Sequence, residues 1–302
     1  MSATSLRDRL KNVHAYAPTP FAQGPGLPLD LDGMERNLEF LIEAGVQVVN
    51  IGGGTGENNA LSTAELEALA RRALEVAGER ILVVPSLPGN FGMAAELIGA
   101  YAQMGAQIVL GMAPFIRDQR PDEIEGVWRH YRGLADLSPL PLMPYNTQNW
   151  PVDFFVRLAA IDSIVAIKDP CLDPHPLFRA IQQLGERFVW VGNKRHDPGV
   201  LHLRYQAGIE GFTAGFVAFM PRFELALHEA ALRQDWSTMV DIQAQLAPLE
   251  PLRNQHGDGL IKAGLDLVGL AGGPVRPPRT DVGPAGLAAL RAMLEKLDAL
   301  KS

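Results

Sequence analysis

Short apolar runs alternate with amphipathic segments along most of the chain. Eight of these runs have the length and composition of buried strands. They cover residues 13–18, 46–51, 81–87, 107–112, 140–145, 164–168, 188–192 and 211–219. Each run is followed by a segment with a helical pattern, and Ser62 and Glu65 form a capping-box pattern at the start of one such segment. The alternation predicts βα units and a parallel sheet.

Eight βα units indicate an α/β fold of the (β/α)8 TIM-barrel type. A doubly wound sheet would need fewer strands and a Gly-rich phosphate-binding turn after the first strand, which the sequence lacks. After the last strand, more helical patterns follow than a barrel needs, at 222–233, 237–254, 259–268 and 284–301. We therefore expect a barrel core over 1–221. The last barrel helix and an appended C-terminal helical layer should occupy 222–302 in the same structural unit. The Gly- and Pro-rich segment 272–278 is expected to form a stiff surface turn.

The composition and net charge of the chain exclude some classes of partner and location. The chain has 302 residues, 47% of them hydrophobic, which is enough for a large core. A net charge of −7 with scattered basic residues argues against nucleic acid and against an anionic membrane as partner. No apolar stretch approaches the ~20 residues of a membrane span. Residues 1–13 lack the apolar region of a signal peptide. Cys171 is the single cysteine, most simply a packing residue, so we expect no internal disulfide and a cytoplasmic protein.

Lys168 stands at the end of the apolar run 164–168. A charged residue in a buried strand is rare unless it is paired or functional. A lysine in a low-dielectric site has a lowered pKa, and its free amine can attack a carbonyl to form a Schiff base. From this segment alone, a lysine just past the strand end with its ammonium in water is an equally good interpretation.

Two further segments follow predicted strands at their carboxyl ends, where active sites lie in this fold. Tyr145 ends the strand next to that of Lys168. A phenol there can move protons to and from a carbinolamine, or it can simply cap the core as a half-buried aromatic. The Gly-rich loop 52–57 carries Thr55 and frees backbone N–H groups that can hold a carboxylate, although an ordinary turn is the simpler interpretation of the loop alone. Glu57 either orients this loop or lies in solvent.

Secondary candidates lie at the same end of the barrel. Asn193, Lys194, Arg195 and His196 follow the seventh strand. They present donors and cations to a polar or anionic substrate tail, or they form a solvated loop. Thr213 on the eighth strand is a further candidate. The seven histidines show no metal-ligand spacing, so we expect no metal.

Three motifs together resemble the dihydrodipicolinate synthase/N-acetylneuraminate lyase family. The loop 53–57, Gly-Gly-Thr-Gly-Glu, resembles the family's Gly-Thr-Thr-Gly-Glu signature. Tyr145-Asn146 resembles its catalytic Tyr-Asn pair, and Ile167-Lys168-Asp169 its Schiff-base lysine motif, and the order and spacing match over roughly residues 10–280. The resemblance implies a class I lyase that binds pyruvate or another 2-oxo acid at Lys168 without a metal or organic cofactor. It also implies a homo-oligomer, a tetramer or a dimer.

Departures from the family pattern point to its sugar-acid branch. Gly54 stands where the synthase has the Thr of its proton relay, and Pro114-Phe115-Ile116 stands where it has paired tyrosines. The synthase's carboxylate-binding Arg is missing around Trp150. The Gly-rich loop and the Tyr-Asn-x-x-Asn segment at 145–149 are instead similar to 5-dehydro-4-deoxyglucarate dehydratase and 2-keto-3-deoxy sugar-acid aldolases.

We therefore predict a Schiff-base-forming lyase or aldolase that acts on pyruvate or a pyruvate-derived 2-oxo acid. Lys168 and Tyr145 are the predicted catalytic residues. The predicted substrate-binding residues are Gly54, Thr55, Gly56, Asn149 and Lys194. A dehydratase for 5-dehydro-4-deoxyglucarate or a related 2-keto-3-deoxy sugar acid is the second hypothesis. A non-catalytic 2-oxo-acid-binding protein is the third.

Overall fold

The computed structural model describes residues 5–117, 121–194 and 199–300. Its centre is a ring of eight parallel strands: β1 Val13–Tyr16, β2 Val48–Ile51, β3 Leu82–Leu87, β4 Val109–Gly111, β5 Leu142–Pro144, β6 Ala166–Asp169, β7 Val189–Asn193 and β8 Gly211–Ala214. Along the sheet the order is β5-β4-β3-β2-β1-β8-β7-β6. Parallel bridges from Leu142 to Ile164 and from Tyr145 to Lys168 join β5 to β6. The predicted (β/α)8 barrel is confirmed.

Thirteen α-helices accompany the strands in the described ranges. They are α1 Leu6–Leu10, α2 Leu31–Glu43, α3 Thr63–Ala77, α4 Phe91–Gln103, α5 Pro121–Leu137, α6 Val152–Ala159, α7 His175–Leu184, α8 Leu201–Gln206, α9 Pro221–Leu232, α10 Trp236–Leu246, α11 Leu249–His256, α12 Asp258–Leu267 and α13 Pro284–Lys296. The predicted capping box is present at α3, where Ser62 and Glu65 bond each other's backbone N–H groups. None of the described helices is long and apolar enough to cross a membrane.

The strands are buried on both faces because the helices cover the outside of the barrel and side chains fill its inside. The interior cluster includes Val48, Leu82, Leu110, Met143 and Val191. A larger core lies between the strands and the surrounding helices. The short helix α1, which the sequence did not predict, places buried Leu10 against the interior cluster.

Several predicted elements are shorter in the structure; the helix predicted over 284–301, for example, ends at Lys296. Two further differences have a clear backbone cause. The eighth strand, predicted over 211–219, stops at Ala214, because Gly215 adopts a helical backbone and a 3₁₀ turn follows at Phe216–Ala218. The predicted helix at 237–254 is two helices, α10 and α11, with Pro248 between them. Proline has no N–H to donate and clashes with the preceding helical turn, so it ends α10 and starts a new direction.

Candidate active site

A cavity of about 370 Å³ opens at the carboxyl ends of the strands. That volume suits a small metabolite. Five of the predicted site residues line it: Gly54, Thr55, Tyr145, Lys168 and Lys194. Strand ends that are distant in sequence meet here because the barrel closes them into one ring.

Lys168 lies inside the barrel, with 4% of its surface exposed. Its Nζ is 3.5 Å from the ring centroid of Tyr16 and 3.8 Å from that of Tyr145. Burial lowers the pKa of the Lys168 ammonium well below its ordinary value, which favours the free amine. These observations support the buried, nucleophilic interpretation of Lys168 and not a lysine in water.

Asp169, the next residue along β6, points to the other face of the strand. Its carboxylate accepts hydrogen bonds from Asn146 Nδ2 at 2.7 Å and from the Cys171 N–H at 2.9 Å. Asn146 in turn accepts from the Gln148 N–H through its side-chain oxygen. Asp169 and Asn146 thereby fix the backbone around Lys168 and Tyr145.

Tyr145 follows β5 directly and pairs with Lys168 in the parallel bridge, so the two side chains lie side by side. Burial raises the pKa of the Tyr145 phenol to about 12, so the group is a neutral hydroxyl at physiological pH. The phenol borders the cavity that holds Lys168 and also a second, neighbouring cavity. It is therefore placed to exchange protons with a group bound at the amine.

The Gly-rich loop after β2 lies against the same cavity. A Cβ on Gly53 would stand 3.2 Å from Ser86 Oγ and 3.3 Å from a Tyr16 ring carbon. At Gly56 a Cβ would meet the Ala17 carbonyl oxygen at 3.1 Å. The glycines therefore let the loop approach the strands closely, while Thr55 lines the cavity.

Glu57 is fully buried and does not lie in solvent. Its carboxylate pairs with Lys262 Nζ at 2.6 Å and accepts the Arg276 backbone N–H at 2.9 Å. The backbone of Glu57 is left-handed, with a φ of 61°. The pairing fixes the exit of the Gly-rich loop against the C-terminal helical layer, which supports the orienting role of Glu57.

The segment 272–278 is not a plain surface turn as predicted. Val275 is buried, and the Arg276 guanidinium forms two hydrogen bonds with the Glu65 carboxylate, at 2.6 and 3.0 Å. Arg276 also donates to the Ala60 and Leu27 carbonyl oxygens. The segment thus holds the region that follows β2 in contact with the C-terminal part of the chain.

Two predicted binding residues do not line the cavity. Asn149 is exposed, because the chain turns there with a φ of 50° and carries its side chain away from the barrel. Gly56 lies behind the wall, where its carbonyl oxygen accepts from Thr19 Oγ1 at 2.6 Å. The structure therefore supports Gly54 and Thr55 as contacts for a ligand, and leaves Asn149 and Gly56 outside the contact layer.

Lys194 lies at the end of β7, buried in the cavity wall. Its ammonium forms an ion pair with Glu224 of α9, which is fully buried. Burial lowers the pKa of Lys194 and the nearby Glu250 carboxylate opposes that shift. The sequence did not predict that Glu224 would pair with Lys194, because Glu224 looks like any other carboxylate in an amphipathic helix. Arg195 and His196, also named as candidates, lie outside the described residues.

Residues that the sequence did not single out complete the wall. Glu250, Arg253 and Asn254 reach it from α11 of the C-terminal layer, and Arg253 pairs with Asp258 at 2.8 Å. Thr213 of β8, a weaker candidate from the sequence, also lines the cavity. The C-terminal layer is thus part of the site and not only a cover for the barrel.

Cys171 and the acidic side chains give no sign of a metal centre. Among the residues that the structure describes, no three His, Cys, Asp or Glu side chains come together as metal ligands. Burial raises the pKa of the Cys171 thiol to about 12, and its Sγ lies 3.4 Å from the Asn146 carbonyl oxygen. An uncharged, bonded thiol is a packing group and a poor nucleophile.

Comparison with known proteins identifies the family of this chain. A sequence profile of the Dihydrodipicolinate synthetase family matches residues 9–297. A probable 5-dehydro-4-deoxyglucarate dehydratase of Ralstonia nicotianae is 27% identical, over 93% of this chain and 96% of the relative. A 4-hydroxy-tetrahydrodipicolinate synthase of Methanospirillum hungatei is 28% identical, over 93% of this chain and 97% of the relative.

The fold also has a solved counterpart. The crystal structure of dihydrodipicolinate synthase from Oceanobacillus iheyensis superimposes with a TM-score of 0.88 at 25% identity, covering 97% of this chain and 98% of that one. Both sequence relatives are named as enzymes, and both names are of the kinds that the sequence motifs resembled. The prediction of an enzyme is confirmed.

Proposed function

Because this chain belongs to the Dihydrodipicolinate synthetase family, we propose that it is a Schiff-base-forming lyase or aldolase acting on pyruvate or a pyruvate-derived 2-oxo acid. The observation that carries the proposal is the Lys168 amine. It is buried at the base of a cavity, has a lowered pKa, and lies beside the Tyr145 ring. A free amine in such a site is a nucleophile toward a keto carbon.

In the proposed reaction Lys168 attacks the keto carbon of the bound acid and forms a carbinolamine. Loss of water gives an iminium ion, which withdraws electrons from the neighbouring carbon. That electron sink lets a bond at the next carbon break, so the chemistry requires no metal or organic cofactor. Thr55 and the backbone of Gly54 hold the carboxylate of the 2-oxo acid on the cavity wall.

Tyr145 moves protons in this scheme. Its phenol is neutral and borders the cavity, so it can donate a proton to the keto oxygen as the amine adds and take a proton back from the Lys168 nitrogen. Lys194 lies farther along the wall, with Asn193 beside it, and binds an oxygen of the substrate's distal part. Glu224 keeps the Lys194 ammonium in place by pairing with it.

A second candidate is a dehydratase for 5-dehydro-4-deoxyglucarate or a related 2-keto-3-deoxy sugar acid. Relatives that carry that name support it, and so do the polar side chains along the distal wall, which suit a hydroxylated substrate. Both reactions begin with the same iminium ion. Incubation with 2-keto-3-deoxygluconate and with 5-dehydro-4-deoxyglucarate separates them. Pyruvate release indicates the aldolase. Water loss indicates the dehydratase, and the glucarate compound would also release CO2.

Borohydride trapping tests the shared step. With pyruvate present, we expect one reduced pyruvyl group per chain, mapped by peptide mass spectrometry to Lys168. Lys194 lines the same cavity and therefore serves as an internal control that stays unmodified. Lys168→Ala should abolish the adduct. A label at Lys194, or no label with any of a range of 2-oxo acids, would contradict the proposal.

We also propose that the protein is a homo-oligomer, a tetramer or a dimer, that works in a reducing cytoplasm. Phe115, with 92% of its surface exposed, is an apolar group of the kind that subunit contacts cover. Light scattering on the purified protein measures the oligomeric state directly. A monomer at micromolar concentration would refute this part of the proposal.

A further inference from the structure

One phenol of the cavity has no role in the proposed function. Tyr16 ends β1, is 4% exposed and lines the same cavity as Lys168. Its ring centroid is 3.5 Å from Lys168 Nζ, slightly closer than the 3.8 Å of Tyr145. The reactive amine therefore contacts two tyrosine rings and not one.

The two rings come from different walls of the barrel. Tyr145 follows β5, the strand next to that of Lys168. In the ring of eight strands β1 lies four positions from β5, so Tyr16 reaches the amine from the opposite wall. A keto acid bound at Lys168 would have a phenol on each side.

The Tyr16 hydroxyl is buried and has no hydrogen-bond partner among the described residues. The three tyrosines outside the cavity are bonded. Tyr101 Oη donates to the Ser86 carbonyl, Tyr131 Oη to the Tyr145 carbonyl, and Tyr205 Oη bonds His228 Nδ1. A buried hydroxyl without a partner is unfavourable for folding, so the presence of Tyr16 here calls for a functional explanation.

We infer that Tyr16 is a second acid–base residue of the Lys168 site, an inference that rests on the proposed function. The Tyr16 phenol gives its proton to the hydroxyl of the carbinolamine. The C–O bond breaks, water leaves, and the nitrogen lone pair forms the iminium double bond. The Tyr16 phenolate then takes a proton from the adjacent carbon. The electrons of that C–H bond form the enamine, and the phenol is restored.

The position of Tyr16 suits it to the second proton transfer, from the carbon next to the iminium carbon. The Tyr145 side chain is partly exposed and borders two cavities, whereas the Tyr16 hydroxyl is enclosed. The phenolate of Tyr16 would form next to the iminium cation, and opposite charges in a low-dielectric site stabilise one another. Tyr145 remains the residue that serves the first addition of the amine, at the open side of the cavity.

The test compares Tyr16→Phe with wild type and with Tyr205→Phe, a matched loss of a buried phenol away from the cavity. Two rates are measured with pyruvate. One is borohydride trapping at Lys168, and the other is exchange of the methyl protons for deuterium, followed by NMR. In Tyr16→Phe we expect methyl exchange to fall by ~10²–10⁴-fold, the usual worth of a positioned acid or base, while trapping still reaches completion. Tyr205→Phe should exchange at the wild-type rate.

Thermal melting separates catalysis from packing. Tyr16→Phe keeps the ring and loses no hydrogen bond, so its Tm should match or exceed that of wild type. Tyr205→Phe loses its bond to His228 and should melt lower. Exchange in Tyr16→Phe within twofold of wild type would overturn the inference. Normal exchange in Tyr16→Phe with a defect in Tyr16→Leu would assign only a ring contact to Tyr16 and would overturn it too. If the wild-type protein forms no imine, the proposed function itself fails. If it forms the imine and only the Tyr16→Phe result is contrary, the Tyr16 inference alone fails.

Discussion

At the scale of residues, the three lysines that are buried within the described ranges have two kinds of surroundings. Lys194 and Lys262 each pair with a fully buried carboxylate, Glu224 and Glu57. Lys168 contacts aromatic rings, and it forms no ion pair within the part of the chain that the structure describes. Burial lowers the pKa of all three, but a carboxylate opposes that shift at Lys194 and at Lys262, whereas burial acts alone at Lys168. The surroundings of Lys168 therefore favour the nucleophilic form of the amine.

Burial of Lys168 without a carboxylate partner among the described residues lowers the free energy of unfolding by an amount that depends on pH. Between the lowered pKa of folded Lys168 and the ordinary value of 10.5, the unfolded chain binds a proton that the folded chain does not. The free energy of unfolding should therefore rise with pH across this window, and the penalty should vanish above 10.5. Each unit by which the pKa is lowered corresponds to about 1.36 kcal/mol.

Lys168→Met should accordingly stabilise the protein at pH 7, and the gain should shrink toward zero as pH approaches 10.5. Urea unfolding at a series of pH values measures it. Lys296→Met, on the exposed face of α13, is the control and should change stability by less than ~0.5 kcal/mol at every pH. A gain from Lys168→Met that does not change with pH would show that Lys168 is protonated in the folded state.

At the scale of elements, the Gly-rich loop depends on helices that come much later in the chain. Glu57 closes the loop and pairs with Lys262 of α12, while Lys262 Nζ also donates to the Pro274 carbonyl at 2.6 Å. Breaking one member of a buried pair leaves an uncompensated charge, which is worse than removing both. The loop that lines the cavity is thus held from behind by the C-terminal layer.

Glu57→Gln and Lys262→Met should each lower the free energy of unfolding by about 3–5 kcal/mol. The double variant should lose clearly less than the sum of the two. Denaturant titration of the four proteins completes the cycle. Glu67→Gln, which removes an exposed pair with Arg71 on α3, is the matched control and should cost at most about 0.5 kcal/mol. Additive losses would mean that the pair does not couple the loop to α12.

Sequence patterns predicted much of the barrel because strand runs and helical periods are local properties. They also predicted that Tyr145 would lie beside Lys168, since neighbours along the chain are neighbours in this sheet. The contact of Tyr16 with Lys168 depends instead on how the ring closes and on strand stagger, which periodicity does not carry. The same limit explains why the sequence carries no signal for Glu224 and the α11 residues. Pro248 is a different case, because a proline breaks a helix locally and the prediction of one helix over 237–254 did not use that signal.

At the scale of the whole molecule, barrel and C-terminal layer share one site. α11 supplies part of the cavity wall and α12 supplies the partner of Glu57. The layer also buries Leu249, Leu260 and Ile261 completely. We therefore expect the two parts to fold together, as one structural unit.

A chain truncated after Arg233 should fail to fold cooperatively, because it exposes barrel surface and leaves Glu57 without Lys262. Circular dichroism during heating and borohydride trapping with pyruvate test this expectation. The full-length chain should show one sharp transition and a trapped adduct, and the truncated chain neither. A truncated protein that melts cooperatively and is still labelled at Lys168 would show that the barrel is independent.

The distribution of the cavity wall along the chain, from Tyr16 to Asn254, also matters while the protein is being made. A ribosome adds ~5–20 residues per second, so many seconds separate the first wall residue from the last. Until the last helices emerge, we expect Lys168 to be an ordinary protonated lysine in water, which would not attack a keto acid. The imine formation proposed above should begin only after the C-terminal helices have packed, so trapping at Lys168 would report on completed folding.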